Sequence, residues 1–298
     1  MMIPNFLDKI LIEQYGEELK NKIIEGYNIK RKTTLRVNTL KGNVQEIENN
    51  LKQNSIEYER VPWYKDALII DDKSDIDIQS LNIYQDGKVY LQSLSSMLPP
   101  IILNPKEGTD ILDMAAAPGG KTTEIAALTN NRANITACEM NKIRAEKLKY
   151  NINMQGATRV FVMEKDARQI DDFFSFDQIL LDSPCSGSGT LNVNDKNMEK
   201  YFTEILIQKS IKSQIALLKK AVRLLKKGSE LVYSTCSILK LENEEIVKQV
   251  LKEMEIVPID FEGIGDIPKL PTKLEGTLCV MPTEEYEGFF VAKLRKKF

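Results

Sequence analysis

Two cysteines stand in polar, turn-forming surroundings directly after apolar runs. Phe176-Asp-Gln-Ile-Leu-Leu-Asp182 leads into Ser183-Pro184-Cys185-Ser186-Gly187, and Leu231-Val-Tyr-Ser234 leads into Thr235-Cys236-Ser237. A lone cysteine is usually a small buried hydrophobe. Two of them on neighbouring strand-end turns, one beside the acid Asp182, are candidates for nucleophilic and acid–base work. The chain contains no histidine, which excludes Ser-His-Asp and Cys-His nucleophile systems and His-ligated metals. The four cysteines, Cys138, Cys185, Cys236 and Cys279, include no CxxC pair. No metal site and no disulfide framework is therefore expected, and reduced thiols in a cytoplasm are.

A second constellation is Asp110-Ile-Leu-Asp113-Met114-Ala115-Ala116-Ala117-Pro118-Gly119-Gly120-Lys121-Thr122. It reads as a strand ending in a glycine turn that opens a helix, a geometry that presents backbone N–H groups to a nucleotide-like ligand. A phosphate-binding P-loop requires glycine where Ala115 stands, and Pro118 removes one N–H from the cradle, so a triphosphate is disfavoured. The next strand-like run ends in Glu139, at the spacing where a ribose-binding acid follows such a turn. The one after it runs into Asp166, placed to accept from an adenine amino group. Together these acids favour an adenosyl ligand. Thiols beside an adenosyl site suggest methylation at carbon 5 of cytosine, which is a poor nucleophile until a thiolate adds at carbon 6. Asp182 would then hydrogen-bond the ring at N3, and the target base must leave its stack to reach the thiols.

These turns need one sheet edge to hold them. Beyond about residue 105, strand-like runs at 110–114, 135–138, 160–163, 178–181 and 230–233 alternate with helical runs from about Lys121, at 142–154 and at 204–226. The rhythm predicts an α/β fold, a doubly wound and mostly parallel sheet. A helix over 242–254 and an edge hairpin from strands near 278–281 and 289–294 complete it, with Lys293, Arg295, Lys296 and Lys297 as charges protecting the edge. Upstream, the spacing predicts one or two short helices over 4–27, then strand, helix, strand, strand within 34–70, a small α+β module. The domains are placed at 1–28 (helical segment), 29–90 (small module) and 91–298 (doubly wound domain).

The motifs Ala116-Ala117-Pro118-Gly119-Gly120-Lys121, Asp182-Ser-Pro184-Cys185-Ser186-Gly187 and Ser234-Thr235-Cys236-Ser237 together resemble the Sun-type (NSUN/RsmB-like) RNA cytosine-5 methyltransferases. Leu35-Arg36-Val37-Asn38-Thr39, Gln92-Ser93-Leu94-Ser95-Ser96-Met97, Asn141 with Arg144, and Gly288-Phe289-Phe290-Val291-Ala292 extend the resemblance over most of the chain. It implies a Rossmann-like class I methyltransferase domain behind a small RRM-like domain, with S-adenosyl-L-methionine as cofactor. It implies Cys236 as nucleophile, Cys185 as the thiol that assists release, and Lys121 near the reacting base. Cofactor contacts follow by resemblance at Ala115, Ala116, Ala117, Pro118, Gly119, Gly120, Lys121, Glu139, Arg144, Asp166 and Asp182. One departure stands out: relatives usually carry a histidine shortly before the closing Gly-Phe-Phe, and here the stretch from Cys279 to Gly288 has none.

The chain has 298 residues, 42% hydrophobic and 28% charged, an ordinary globular mixture of about two domains' length. Its 41 basic and 43 acidic residues give a net charge of −2, so an RNA partner must be held by local patches. Lys30, Arg31, Lys32 and Arg36 are the candidates, with Trp63 and Tyr64 as stacking partners. Ribosomal RNA is slightly favoured over transfer RNA. The N-terminal residues and the absence of an 18-residue apolar run argue against export and membrane insertion. Two rival readings stay open: an RNA-binding or assembly protein with a vestigial cofactor site, and a P-loop NTPase.

Overall fold

The computed structural model describes residues 3–298. Helix α1 (Asn5–Asn28) turns sharply at Gly16, whose φ of 77° lies in the left-handed region, so it is two helical stretches joined at one glycine. Leu7, Leu11, Ile23 and Tyr27 of α1 are buried in the core of the large sheet, not of the small module.

The small module comprises β1 (Thr33–Val37), α2 (Val44–Gln53), β2 (Tyr58–Arg60), β3 (Ala67–Ile70), α3 (Asp75–Gln79), α4 (Asn82–Gln85) and β4 (Val89–Leu91). Its strands form an antiparallel sheet in the order β2-β3-β1-β4. Asn43 starts α2 by accepting from the Glu46 amide. Leu35, Val37, Ile47, Leu51, Leu68 and Val89 form the module's core. All five residues of β1 are buried, because the strand's other face, with Thr34 and Arg36, packs onto the large domain.

The large domain runs through α5 (Leu94–Leu103), β5 (Asp110–Asp113), α6 (Gly120–Leu128), β6 (Asn134–Cys138), α7 (Lys142–Gln155), β7 (Val160–Met163), β8 (Phe176–Asp182), α8 (Met198–Tyr201), α9 (Glu204–Leu224) and β9 (Leu225–Thr235). It ends with α10 (Glu244–Lys248), β10 (Met254–Ile256), β11 (Lys269–Leu270), β12 (Leu278–Val280) and β13 (Phe289–Lys296). Strands β7, β6, β5, β8 and β9 lie parallel in that order, and β13, β12 and β11 follow antiparallel. One face of the sheet carries α1, α9 and α10, the other α5, α6 and α7. Every parallel strand therefore delivers its carboxyl end to one edge, where ligands of such sheets bind.

Two expectations fail for stated reasons. Residues 242–254 are not one helix: a 3-10 turn at Lys240–Glu242, the short α10 and strand β10 take their place. Glu242 and Asn243 turn their side chains inward to bond the turns after β8 and β9, and Asn243 adopts φ −117°, ψ −93°. Local side-chain bonding here outcompetes the helix. The C-terminal strand is also no edge. β13 lies between β9 on one side and β12 and β10 on the other. Its charges are satisfied internally: Lys293 and Arg295 each pair with Glu230 at 2.8 Å, and Lys296 Nζ donates to the Val222 and Leu225 carbonyls at the end of α9.

Candidate active site

At the carboxyl edge, the ends of β5, β8 and β9 and the turn before α6 enclose a cavity of about 480 Å3. Asp113, Ala115, Ala116, Ala117, Pro118, Gly120, Lys121, Asp182 and Cys236 line it. A smaller cavity of about 80 Å3 shares Ala115 with it and lies at the ends of β6 and β7, against Glu139, Arg144, Asp166 and Arg168. The structure thus gathers the predicted residues at one cleft. Gly119 and Cys185 are the exceptions, lining neither cavity. With φ at 115° Gly119 turns the chain against α7, where an added Cβ would meet Leu148 at 3.1 Å. Gly120 has the opposite task, since a Cβ there would meet the Tyr90 ring at 3.1 Å where the small module closes on the turn.

The two reactive-site sulfurs are in contact: Cys185 Sγ lies 3.1 Å from Cys236 Sγ, and both thiols are free. The pairing of β8 with β9, which sets Asp182 opposite Ser234, brings the two turns together. Cys236 lines the larger cavity and Cys185 lies behind it. Hydrogen bonding to Cys236, burial and the nearby Glu242 charge all push the Cys185 thiol well up. Lys121 Nζ pairs with Asp182 Oδ2 and donates to Ser96 Oγ, both at 2.7 Å. Burial alone would depress the Lys121 ammonium. The Asp182 carboxylate outweighs that and holds it above its ordinary value, with Cys236 also adding to the field. Lys121 is thus a fixed positive charge at the cavity that Cys236 lines, in a chain without an imidazole. Asp182 is aimed by Ser234, whose hydroxyl donates to Oδ1 at 2.8 Å.

The other acids divide by burial. Asp113 is wholly inside, and burial pushes its carboxyl up to about 6, against the Thr122 hydroxyl that donates to Oδ2 at 2.7 Å. Glu139 accepts from the Asn141 amide at 2.8 Å and pairs with Arg144 at 3.2 Å, while Arg144 also donates to the Ala117 carbonyl at 2.8 Å. Asp166 holds its own neighbour, Arg168, whose Nη2 lies 2.6 Å away and keeps the carboxyl below its ordinary value. Cys138 and Cys279 are ordinary core thiols, each pushed up to about 12 by burial.

Three features were not read from the sequence. Glu242 ties the two cysteine turns together from beneath. Glu287 lines the larger cavity and accepts from Ser93 Oγ at 2.7 Å, within the stretch that lacks the usual histidine. Arg36 is not on an RNA face. It is fully buried, donates to Gln92 Oε1 and Thr123 Oγ1 at 3.1 Å, and lies 3.9 Å from Glu124, whose carboxyl burial pushes up to about 8. Asn38 from the same motif donates to the carbonyls of Gly87 and Gln155, so this motif rivets the small sheet to α6 and α7. Tyr64 is buried, Trp63 Nε1 donates to Tyr286 at 2.9 Å across to the large domain, and Lys32 pairs with Asp71. Of the predicted basic face, Lys30 is exposed and Arg31, partly buried, leans on the Gly189 carbonyl at 3.4 Å beside the cavity. Among the described residues, no helix is long and apolar enough to cross a membrane.

Residues 100–295 match the family model of the 16S rRNA methyltransferase RsmB/F, and residues 3–77 match the ferredoxin-like domain of RsmF/B-like methyltransferases. The chain is 34% identical to the tRNA (cytosine(49)-C(5))-methyltransferase of Pyrococcus abyssi over 97% of its own length and 96% of the other's. It is 32% identical to the probable ribosomal RNA small subunit methyltransferase B of Bacillus subtilis, matching 99% of this chain and 66% of that protein. It thus spans about two thirds or less of the curated bacterial relatives. The solved structure of NSun6 from Pyrococcus horikoshii, which carries the S-adenosylmethionine analogue SFG, superposes with a TM-score of 0.86 at 25% identity, covering 98% of both chains.

Proposed function

The chain belongs to the RsmB/F methyltransferase family, and from that premise we propose that it methylates carbon 5 of cytosine in a structured RNA, ribosomal or transfer, through a covalent bond from Cys236 to carbon 6 of the target base. The observation that carries this reading is the pair of free thiols at 3.1 Å, one lining a cavity beside the Lys121–Asp182 ion pair.

The residues present fit S-adenosylmethionine. Glu139 and Asp166 offer carboxylate acceptors to ribose hydroxyls and an adenine amino group, over an apolar floor of Met114, Ala115, Pro184 and Leu217. Ala115 to Lys121, with Arg144 and Asp182, would hold the remainder toward the larger cavity. When bound there, the cofactor supplies an electrophilic methyl group. The chain's own residues do the rest. The Cys236 thiolate, facing the Lys121 ammonium, adds at carbon 6. Asp182, oriented by Ser234, accepts from N3–H, the nitrogen holding a proton from water while the sulfur adduct lasts, and so stabilises the electron-rich ring whose carbon 5 becomes the nucleophile. Loss of the carbon 5 proton through the open mouth of the cavity then re-forms the ring double bond and breaks the bond to sulfur. The Cys236 sulfur leaves as the thiolate that began the cycle, steadied by the neighbouring Cys185 thiol, which keeps its own proton.

The test is transfer of labelled methyl from S-adenosylmethionine to RNA separated into ribosomal and transfer fractions. Label recovered as 5-methylcytosine in one fraction supports the reading and names the substrate class. No label in free RNA or in assembled ribosomal subunits would reject it in favour of a binding protein. Thermal stabilisation by ATP but not by S-adenosylmethionine would favour the nucleotide hydrolase.

A further inference from the structure

Two thiols at contact distance are chemically equivalent until their surroundings differ. Here the surroundings differ in sign. On the cavity side Cys236 faces the Lys121 ammonium, itself bound to Asp182. On the other side lies Glu242, with no exposed surface, among neutral donors only. Its Oε1 accepts from the Ser186 amide at 2.7 Å and from Gln214 Nε2 at 3.4 Å, and its Oε2 accepts from the hydroxyls of Ser186 at 2.5 Å and Ser237 at 2.6 Å. Ser186 and Ser237 each directly follow one of the two cysteines. The carboxylate therefore clamps one turn to the other at the residue next to each sulfur. Its own backbone is fixed as well, since the Tyr233 hydroxyl donates to the Glu242 carbonyl at 2.6 Å. Burying a charge without a cation is costly, so this placement calls for a function that a neutral residue would not serve.

We propose that Glu242 is a positioning residue that makes the two thiols unequal, holding their turns at sulfur contact and keeping the proton on Cys185 while Cys236 attacks. The proposal rests on the roles given to the two thiols above. A negative charge beside Cys185 opposes a second anion there, while Lys121 favours one at Cys236, so the proton between the sulfurs has one stable seat. The groups facing the pair are Glu242 and Tyr233 from behind and Lys121 and Asp182 from the cavity. Of these, Lys121 is the cation, matched by Asp182, and Glu242 is the anion without a cationic partner.

Alkylation by iodoacetamide, read per cysteine by mass spectrometry across pH, tests this without RNA or cofactor. A protein that failed to methylate RNA would still report on it, and the two readings fail separately. In the unsubstituted protein Cys236 is expected to react first, and Cys185 only at pH well above the ordinary thiol range. Glu242→Gln keeps the shape and the acceptor for the Ser186 amide while removing the charge, the serine hydroxyls turning to accept from its NH2 group. It should raise the Cys185 rate at pH 8 about tenfold, the change expected when one pK unit is lost, with a smaller change at Cys236. The buried Cys138 and Cys279 should stay unlabelled as internal controls of the fold. An unchanged Cys185 profile in a folded variant overturns the proposal. If the variant loses its fold, seen as labelling of Cys138 and Cys279, the order in the unsubstituted protein decides, and Cys185 reacting before Cys236 overturns it equally.

Discussion

The two ends of the cleft are built differently. At the thiol end, the turns after β8 and β9 are hydrogen-bonded to each other through the buried Glu242, Ser186, Ser188 and Ser237, which fixes the residues next to both sulfurs. At the adenosyl end, Glu139 and Asp166 are held by the partly exposed arginines 144 and 168, partners that can swing away when a ligand arrives. Forming and breaking a carbon–sulfur bond requires reacting atoms fixed within a fraction of an ångström. Binding a flexible cofactor requires only that acceptors be available at modest cost. On the proposed function, the difference between the ends is the difference between chemistry and affinity.

Substitutions should separate the two. Cys236→Ala is expected to lower methyl transfer to background, a loss of at least about 10³-fold, while S-adenosylmethionine affinity by calorimetry stays within about twofold; retained turnover would show the covalent end to lie elsewhere. Cys185→Ala should leave addition intact and slow release, so that a protein–RNA species stable on denaturing gels accumulates. A variant that turns over normally with no such band would break the division of labour between the thiols. Glu139→Ala should act at the other end alone, weakening cofactor binding about 10- to 100-fold, the worth of a charged hydrogen bond, with single-turnover transfer at saturating cofactor little changed.

Asp113 sits where the two ends meet, and its effect is smaller and set by pH. Its folded-state value of about 6 lies above the unfolded range near 4. Ionisation therefore costs the folded protein stability as pH rises from about 4 to about 6, and nothing further is lost above that. The melting temperature of Asp113→Asn relative to the unsubstituted protein should climb over that window, by an amount corresponding to about 1–3 kcal/mol, and then level off. A difference independent of pH would mean that Asp113 ionises there without penalty. The smallest effect is expected for Arg168→Ala, a few-fold change in cofactor affinity of either sign, since Arg168 both aims Asp166 and occupies it. A loss as large as that of Glu139→Ala would show the adenosyl end to be as rigidly assembled as the thiol end.

Much of this site was legible because strand, turn and helix are local. Asp113, Glu139, Asp166 and Asp182 each close an apolar run, and the glycine turn precedes a helix, so their common edge follows from the alternation alone. The misreadings share a cause. Arg36 looked like part of a basic RNA-facing run, yet strand alternation, once β1 is covered on both faces, points it into Gln92, Thr123 and Glu124. Lys293 to Lys297 looked like a guarded edge until β12 and β10 were seen to pair with β13. Glu242 passed as the first residue of a helix because the serines it binds lie on two different turns, one of them 56 positions away.

The sequence by itself determined the residue types that can do this chemistry and the strand ends that carry them, since both depend on patterns a few residues long. Only the tertiary structure decided which thiol faces the cavity and which buried carboxylate joins their two turns. That outcome hangs on the register of β8 against β9, with Asp182 opposite Ser234. A slip of one residue would turn every side chain to the other face of the sheet, and no local pattern in the chain records that alignment.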